Sequence, residues 1–193
     1  VMHANNEVGT IQPIAALAEI AHHRGALMHT DTAQSLGKIV VDVNALEVDL
    51  LTIAGHKLYA PKGIGALYVR RGVELVKQTH GAGQEFDSRP GTENVLEIVG
   101  LGKACELAQR DLTKDAVHFR EMRDLLQQSL LDELGQESVR VNGHPSERLP
   151  NTLSISFRGV ESNILLAEIG EKVAASAGSA CHTGRVEVSS VLK

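Results

Sequence analysis

The order of apolar runs in the first 70 residues restricts the fold more than any other feature of this chain. "VMH" reads as the end of a strand, and the polar loop "ANNEVGTIQ" follows it. "PIAALAEIAHHRG" has helical periodicity, with Pro13 near its first turn and Gly25 past its end. "ALMHTD" and "VDLLTIAG" are short apolar strands, and "IGALYVRR" is a third that suits an antiparallel edge. Strand, helix and strand at this spacing predict a βαβ unit in a mostly parallel sheet, an α/β architecture.

From about Glu93 the texture changes. "ENVLEIVGLGKACELAQRDL" and "TKDAVHFREMRDLLQQSLLDELG" are long helical patterns; "VRVNG" and "NTLSISFRG" read as strands, and "ESNILLAEIG" as a short helix. "VAASAGSACHTG" predicts a strand running into a loop of small residues. This half reads as a smaller α+β domain, and the expected division is 1–105 and 106–193. Between the halves lies "AGQEFDSRPGTEN", a long irregular loop of the kind that usually carries function.

Composition narrows the function class. Aromatic residues are 3% and tryptophan is absent, so the core must be aliphatic. The net charge, 19 − 24 = −5, argues against a nucleic-acid footprint, which needs a clustered basic face. No apolar run reaches the ~18 residues of a membrane-spanning helix. Cys105 and Cys181 lie far apart, no histidine spacing suits zinc, and no metal is expected. A soluble cytoplasmic protein is the expectation. Both ends cut into expected elements, so the chain reads as a segment of a longer protein.

Asp31 closes the run "ALMHTD" and Lys57 closes "VDLLTIAGHK", 57 − 31 = 26 residues on. In a parallel sheet both stand at the carboxyl edge, where open α/β folds bind ligands. A lysine that condenses with an aldehyde and a carboxylate that partners a pyridinium nitrogen suit pyridoxal phosphate. Gln34, three residues after Asp31, suits the phenolic oxygen of the same ring. Spacing alone also allows two solvated surface groups or an ion pair. "AGHK" offers the Gly55 amide and His56 to a phosphate, and "RPGTEN" offers Arg89, the Gly91 backbone and the Thr92 hydroxyl; either is also an ordinary turn. Cys105 fits a buried helix position. Cys181, among Gly178, Ser179, Ala180 and Gly184 and beside His182, reads equally as a nucleophile. His22, His23, His118 and His144 read as solvated surface positions.

"HANNEVGTIQPI", "HTDTAQSLGK", "AGHKLYAPKGIGALYVRR", "RPGTEN" and "GSACHTG" occur together in one order and spacing. On them the chain resembles the cysteine desulfurase and selenocysteine lyase family of fold type I, class V aminotransferase-like pyridoxal-phosphate enzymes. The resemblance implies the later part of the large cofactor-binding domain, followed by part of the small domain. It implies Lys57 as the Schiff-base lysine, Asp31 at the pyridine nitrogen and Gln34 at the phenolic oxygen. It places Asn6 near ring and substrate, and Gly55 and His56 by the phosphate. Thr92 would reach the phosphate of a partner subunit, which implies a homodimer. Cys181 would take sulfur or selenium from the substrate.

The implied reaction converts L-cysteine to L-alanine and leaves a persulfide on Cys181 for an acceptor protein, with iron–sulfur clusters one destination of the sulfur. L-selenocysteine is the second implied substrate. Three departures stand out: Ala54 replaces a serine common in the family, and an upstream part (a phosphate-binding threonine and a ring-stacking histidine) and a downstream substrate-binding arginine are missing. The segment alone is therefore expected to be inactive. A class V aminotransferase or β-lyase acting on another amino acid, and a non-catalytic sulfur-transfer scaffold, are the alternatives.

Overall fold

The computed structural model describes residues 1–177, 191 and 192. The chain packs as two compact units, Val1–His3 with Pro13–Leu112, and Ala4–Gln12 with Thr113–Lys193.

The first unit is an α/β sheet with one covering helix. Helix α1 (Ile14–His23) begins directly after Pro13, which needs no amide partner, and ends where Gly25 takes φ +68°. Strand β1 (His29–Asp31) runs parallel to β2 (Leu50–Ala54), with Asp31 opposite Thr52. Strand β3 (Gly65–Val69) pairs antiparallel with β2 and is largely exposed, as an edge strand is. "VMH" lies on the other side of β1: Met2 bridges Asp31 in parallel, and His3 donates its amide to Asp31 O at 2.9 Å.

Ile14 and Ala18 from α1 bury against Met28, Val48 and Leu51. This core is aliphatic apart from Tyr68 at its margin. Removing a side chain such as Ile14 from water stabilises the unit by about 1.5–3 kcal/mol. A second cluster joins Leu58 and Ala60 to Ala104, with Leu101, Cys105 and Ala108 alongside. Cys105 is half-buried there, and burial pushes its thiol pKa up, away from the reactive thiolate.

The two helical patterns of the second half form one helix, α2 (Val95–Leu134). Asn94 starts it by accepting the Glu97 amide at 3.4 Å, and Gly135, at φ +75°, ends it. The junction "DLTKD" holds neither glycine nor proline, so nothing breaks the ladder. The residues of α2 divide between the units after Leu112; the boundary read from sequence, 105/106, lies in the same helix.

In the second unit β4 (Val139–Val141) pairs antiparallel with β5 (Ile155–Phe157), and α3 (Ser162–Ile169) follows. Buried Asn142 ties the pair by donating to Ser154 Oγ and Ser156 Oγ at 3.2 and 2.9 Å. The segment Ala4–Gln12 joins this unit as a hairpin in which Ala4 bridges Ile11 and Thr10 bridges Arg148. The strand expected at the start of "VAASAGSACHTG" is corrected: residues 173–177 have no regular structure. Alanine and serine pack poorly on a pleated surface, and this run is exposed. The rest of that motif, Cys181 included, lies outside the described residues.

Among the described residues no helix is long and apolar enough to cross a membrane, and no group of three or more histidine, cysteine, aspartate or glutamate side chains is arranged to hold a metal ion.

Candidate active site

The parallel pairing of β1 and β2 brings their carboxyl ends to one edge. Asp31 is the last residue of β1 and is half-buried. Its Oδ1 accepts the Ala33 amide at 2.9 Å, which turns the chain sharply after the strand. Its Oδ2 makes no hydrogen bond among the described residues. The turn is pinned below by Thr32, whose amide and hydroxyl both donate to Thr52 O, at 3.1 and 2.7 Å. His3, buried to 4% exposure, sets its Nδ1 3.0 Å from Ser35 Oγ in the same turn. Burial pulls the His3 pKa down and keeps the ring neutral. Sequence reading passed over His3, because a lone histidine beside a strand end carries no signature. Gln34 sits half-buried in this turn, its amide group without a described partner.

Lys57 lies beyond the end of its strand, which corrects the expectation that it closes one: β2 stops at Ala54, and Gly55–Leu58 form a 3₁₀ turn. The Tyr59 and Ala60 amides both donate to Gly55 O, and Tyr59 adopts a left-handed φ of +63°. Buried Leu58 anchors the turn to the second core cluster, so its neighbours His56 and Lys57 face outward. Both are exposed. Lys57 and Asp31 form no ion pair with each other or with any other described residue, so of the two plain readings that spacing allowed the ion pair does not occur, while exposed Lys57 is solvated.

Gly55 serves a different purpose from the one expected. Its amide donates to Ile64 O at 3.1 Å and so is not offered to a phosphate. A Cβ at this position would stand 2.6 Å from Ile64 O and 2.9 Å from Ile64 Cγ2. The residue must be glycine so that the two sides of the loop can close. "RPGTEN" is similarly self-occupied: Arg89 donates to the Gly91 and Thr92 carbonyls at 3.2 and 3.3 Å, and the Gly91 amide donates to Gln84 Oε1 at 3.1 Å. The Thr92 hydroxyl is exposed and has no described partner.

Asn6 belongs to the second unit. Asn5 organises its turn: Asn5 Oδ1 accepts the Glu7 and Val8 amides at 2.8 and 3.0 Å, and Asn5 O accepts the Gly9 amide at 3.0 Å. Asn6 stands exposed in that turn.

A concavity of about 420 Å³ opens at the opposite end of β2, lined by His22, Asn44, Glu47, Asp49 and Arg70. Arg70 spends its donors on Val48 O, Val43 O and Asn44 Oδ1. His22, read as merely solvated, is paired with Asp49 at 2.8 Å. These groups hold the loop before β2, away from the carboxyl edge.

The family model described as Aminotransferase class-V matches residues 1–192. A cysteine desulfurase of Gluconacetobacter diazotrophicus is 47% identical over 194 residues, covering 100% of this chain and 48% of that protein. The cysteine desulfurase IscS of Neisseria meningitidis is 45% identical over 195 residues, 100% of this chain and 47% of its own. Among solved structures, a NifS-like protein from Rickettsia africae aligns with TM-score 0.85 and 31% identity over 92% of this chain and 49% of that one. A second NifS-like protein aligns with TM-score 0.82 and 37% identity over 88% and 46%. The chain thus spans about half the length of the curated relatives it matches.

Proposed function

Because the chain belongs to the aminotransferase class-V family, we propose that the protein carrying it is a pyridoxal-phosphate-dependent cysteine desulfurase. The observation that carries this reading is the carboxyl edge of β1 and β2, where an unpaired carboxylate oxygen (Asp31 Oδ2) ends β1 and an unpaired amine (Lys57) stands in the 3₁₀ turn that follows β2. The 45–47% identity to cysteine desulfurases over the whole chain supports the choice of reaction.

The donor set fits the cofactor chemically: an uncommitted primary amine for an aldehyde, a carboxylate for a ring N–H, and an amide for a phenolic oxygen. Bound there, pyridoxal phosphate would supply a ring able to take up the electron pair released when the substrate Cα–H bond breaks. Lys57 Nζ would hold the cofactor, be displaced by the substrate amine, and then accept the α-proton. Asp31 Oδ2 would accept the ring N–H and keep that nitrogen protonated. Gln34 would orient the phenolic oxygen. His56 and Thr92 would hold the phosphate, Thr92 that of a second subunit in a homodimer. Gly55 would contribute by closing the loop that displays His56 and Lys57. Asn6 keeps the part that the resemblance gives it, a contact to ring and substrate. The Cys181 thiolate would attack the substrate sulfur; the S–S bond forms as the C–S bond breaks, and alanine departs after protonation. The persulfide then passes to an acceptor protein. Selenocysteine, with its weaker carbon–selenium bond, would serve by the same steps.

The test is full-length protein incubated with pyridoxal phosphate and L-cysteine, with alanine, sulfide and keto acid measured. Alanine with sulfide, lost in Cys181→Ala while cofactor absorption remains, is expected. A keto acid product would favour an aminotransferase, and absence of cofactor binding would favour a scaffold; either outcome defeats the proposal.

A further inference from the structure

The second unit buries two arginines where a stability argument asks for none. Arg123 and Arg148 have side chains 9% and 6% exposed, and the carboxylate they share, Asp124, is half exposed at 49%. Arg148 Nε is buried without a partner, and so is Glu7 Oε2 in the hairpin that packs beside it. Burial first, and the Arg123 charge second, pull the Arg148 pKa down, against the pull of Asp124. Buried charges of this kind often stabilise less than apolar residues of equal volume. In some proteins a buried polar or charged group that costs stability fixes a structural register.

The hydrogen bonds show which position is held. Arg123 Nη1 donates to Leu149 O at 2.8 Å, and the Leu149 amide donates to Gly9 O, also at 2.8 Å. Arg148 Nη2 donates to Gln127 Oε1 at 2.7 Å, and Arg148 pairs through its backbone with Thr10. The Ile11 amide donates to Glu147 O at 2.9 Å. Residues 147–149 are thus held from one side by two guanidinium groups and hold, on the other, the hairpin whose turn carries Asn6. Gly9 seals the contact: a Cβ there would stand 2.7 Å from Thr152 Cβ.

We infer that Arg123 and Arg148 are positioning residues for Asn6, acting through the 147–149 segment and the Ala4–Ile11 hairpin. The inference rests on the proposed function for its catalytic consequence and on hydrogen bonding alone for its structural part, so the two are tested separately. In full-length protein, amide hydrogen exchange is compared between wild type and Arg123→Met at Gly9, Ile11 and Leu149, with Leu51 of β2 as the internal reference. Exchange about tenfold faster at these three amides, with Leu51 unchanged, is expected. Arg123→Lys, which keeps a donor and the fold, should fall between. Equal exchange in all three proteins overturns the positioning role, whatever the activity.

The catalytic part is read from kcat/KM for L-cysteine in wild type, Asn6→Ala, Arg123→Met and the double variant. If Arg123 acts through Asn6, its roughly tenfold loss disappears in the Asn6→Ala background. Losses that multiply overturn the link, because a merely structural role has no reason to vanish with Asn6. A protein that binds pyridoxal phosphate but does not desulfurate cysteine defeats the proposed function and leaves the exchange result to decide the positioning role.

Discussion

His22 Nε2 lies 2.8 Å from Asp49 Oδ2, and the same oxygen accepts the Met28 amide at 2.7 Å. Three segments, the end of α1, the start of β1 and the start of β2, therefore meet on one carboxylate atom. Burial alone would raise the Asp49 pKa, but the Met28 amide, His22 and Arg70 together bring it below its ordinary 3.8. A carboxyl whose folded pKa is depressed adds stability that is complete above the unfolded value and is lost as pH falls through the folded one. Asp49→Ala should cost about 1–3 kcal/mol at neutral pH in urea unfolding, since it strands a buried amide. The gap from wild type should hold down to pH 3.8 and narrow below it, because the part that depends on the charge is lost while the protonated carboxyl still accepts the Met28 amide. His22→Ala should cost less, about 1 kcal/mol at most, because the imidazole is partly solvated. A gap for Asp49→Ala that persists unchanged in acid would contradict this account.

His3 gives a second, separate pH window. Its folded pKa is depressed by burial, so stability from the neutral ring is complete above the ordinary 6.5 and declines as pH falls from there toward the folded value. Unfolding free energy measured between about pH 5 and 7 should rise with pH in wild type and rise less steeply in His3→Gln. Equal slopes would remove His3 from the explanation.

Gly55→Ala and Gly25→Ala should separate two reasons for glycine. At Gly55 a Cβ meets Ile64 O at 2.6 Å; at Gly25, with φ +68°, it meets nothing within 4 Å. Gly55→Ala should cost about 1–3 kcal/mol by overpacking. It should also weaken cofactor retention by shifting Lys57. Gly25→Ala should cost about 1 kcal/mol through its left-handed backbone alone. Thermal unfolding with cofactor absorption reads both. If Gly25→Ala proved the more damaging to cofactor retention, the loop-closing role of Gly55 would fail.

Lys57→Ala and Asp31→Asn should fail in different ways. Lys57→Ala removes the group proposed to hold the cofactor and move the α-proton, with a loss of about 10²–10⁴-fold in desulfuration from the proton transfer alone. Asp31→Asn keeps the Lys57 amine, so cofactor should remain attached while the rate falls. Absorption spectra after gel filtration, set beside rates, distinguish the pair. Cofactor retained covalently in Lys57→Ala would displace Lys57 from its role.

The sheet edge was legible because periodicity locates strands, and two parallel strands place their last residues side by side. Asp31 was found this way, and Lys57 was found with its strand end misplaced by three residues, since "GHK" has no local mark of a 3₁₀ turn. Gly55 was noticed for the amide it could offer a phosphate, but the carbonyl that claims that amide belongs to Ile64, nine residues on. His22 was read as solvated, and Arg123 went unread, for the same reason on a longer scale. Their partners lie at Asp49 and Leu149, 27 and 26 residues away, and a pairing of that kind leaves no pattern in either neighbourhood.

The hairpin at Ala4–Ile11 has a consequence for how the protein is made. His144 and Thr10, which meet through a hydrogen bond, are 134 residues apart in the chain. At ribosomal rates of about 5–20 residues per second, roughly 7–27 s separate the synthesis of the two sides. Met2 and His3 can pair with β1 early, while the residues that follow them wait for a surface not yet translated. The nascent chain must carry an unmatched ribbon through most of that interval, and a chaperone with affinity for short extended segments would find it there.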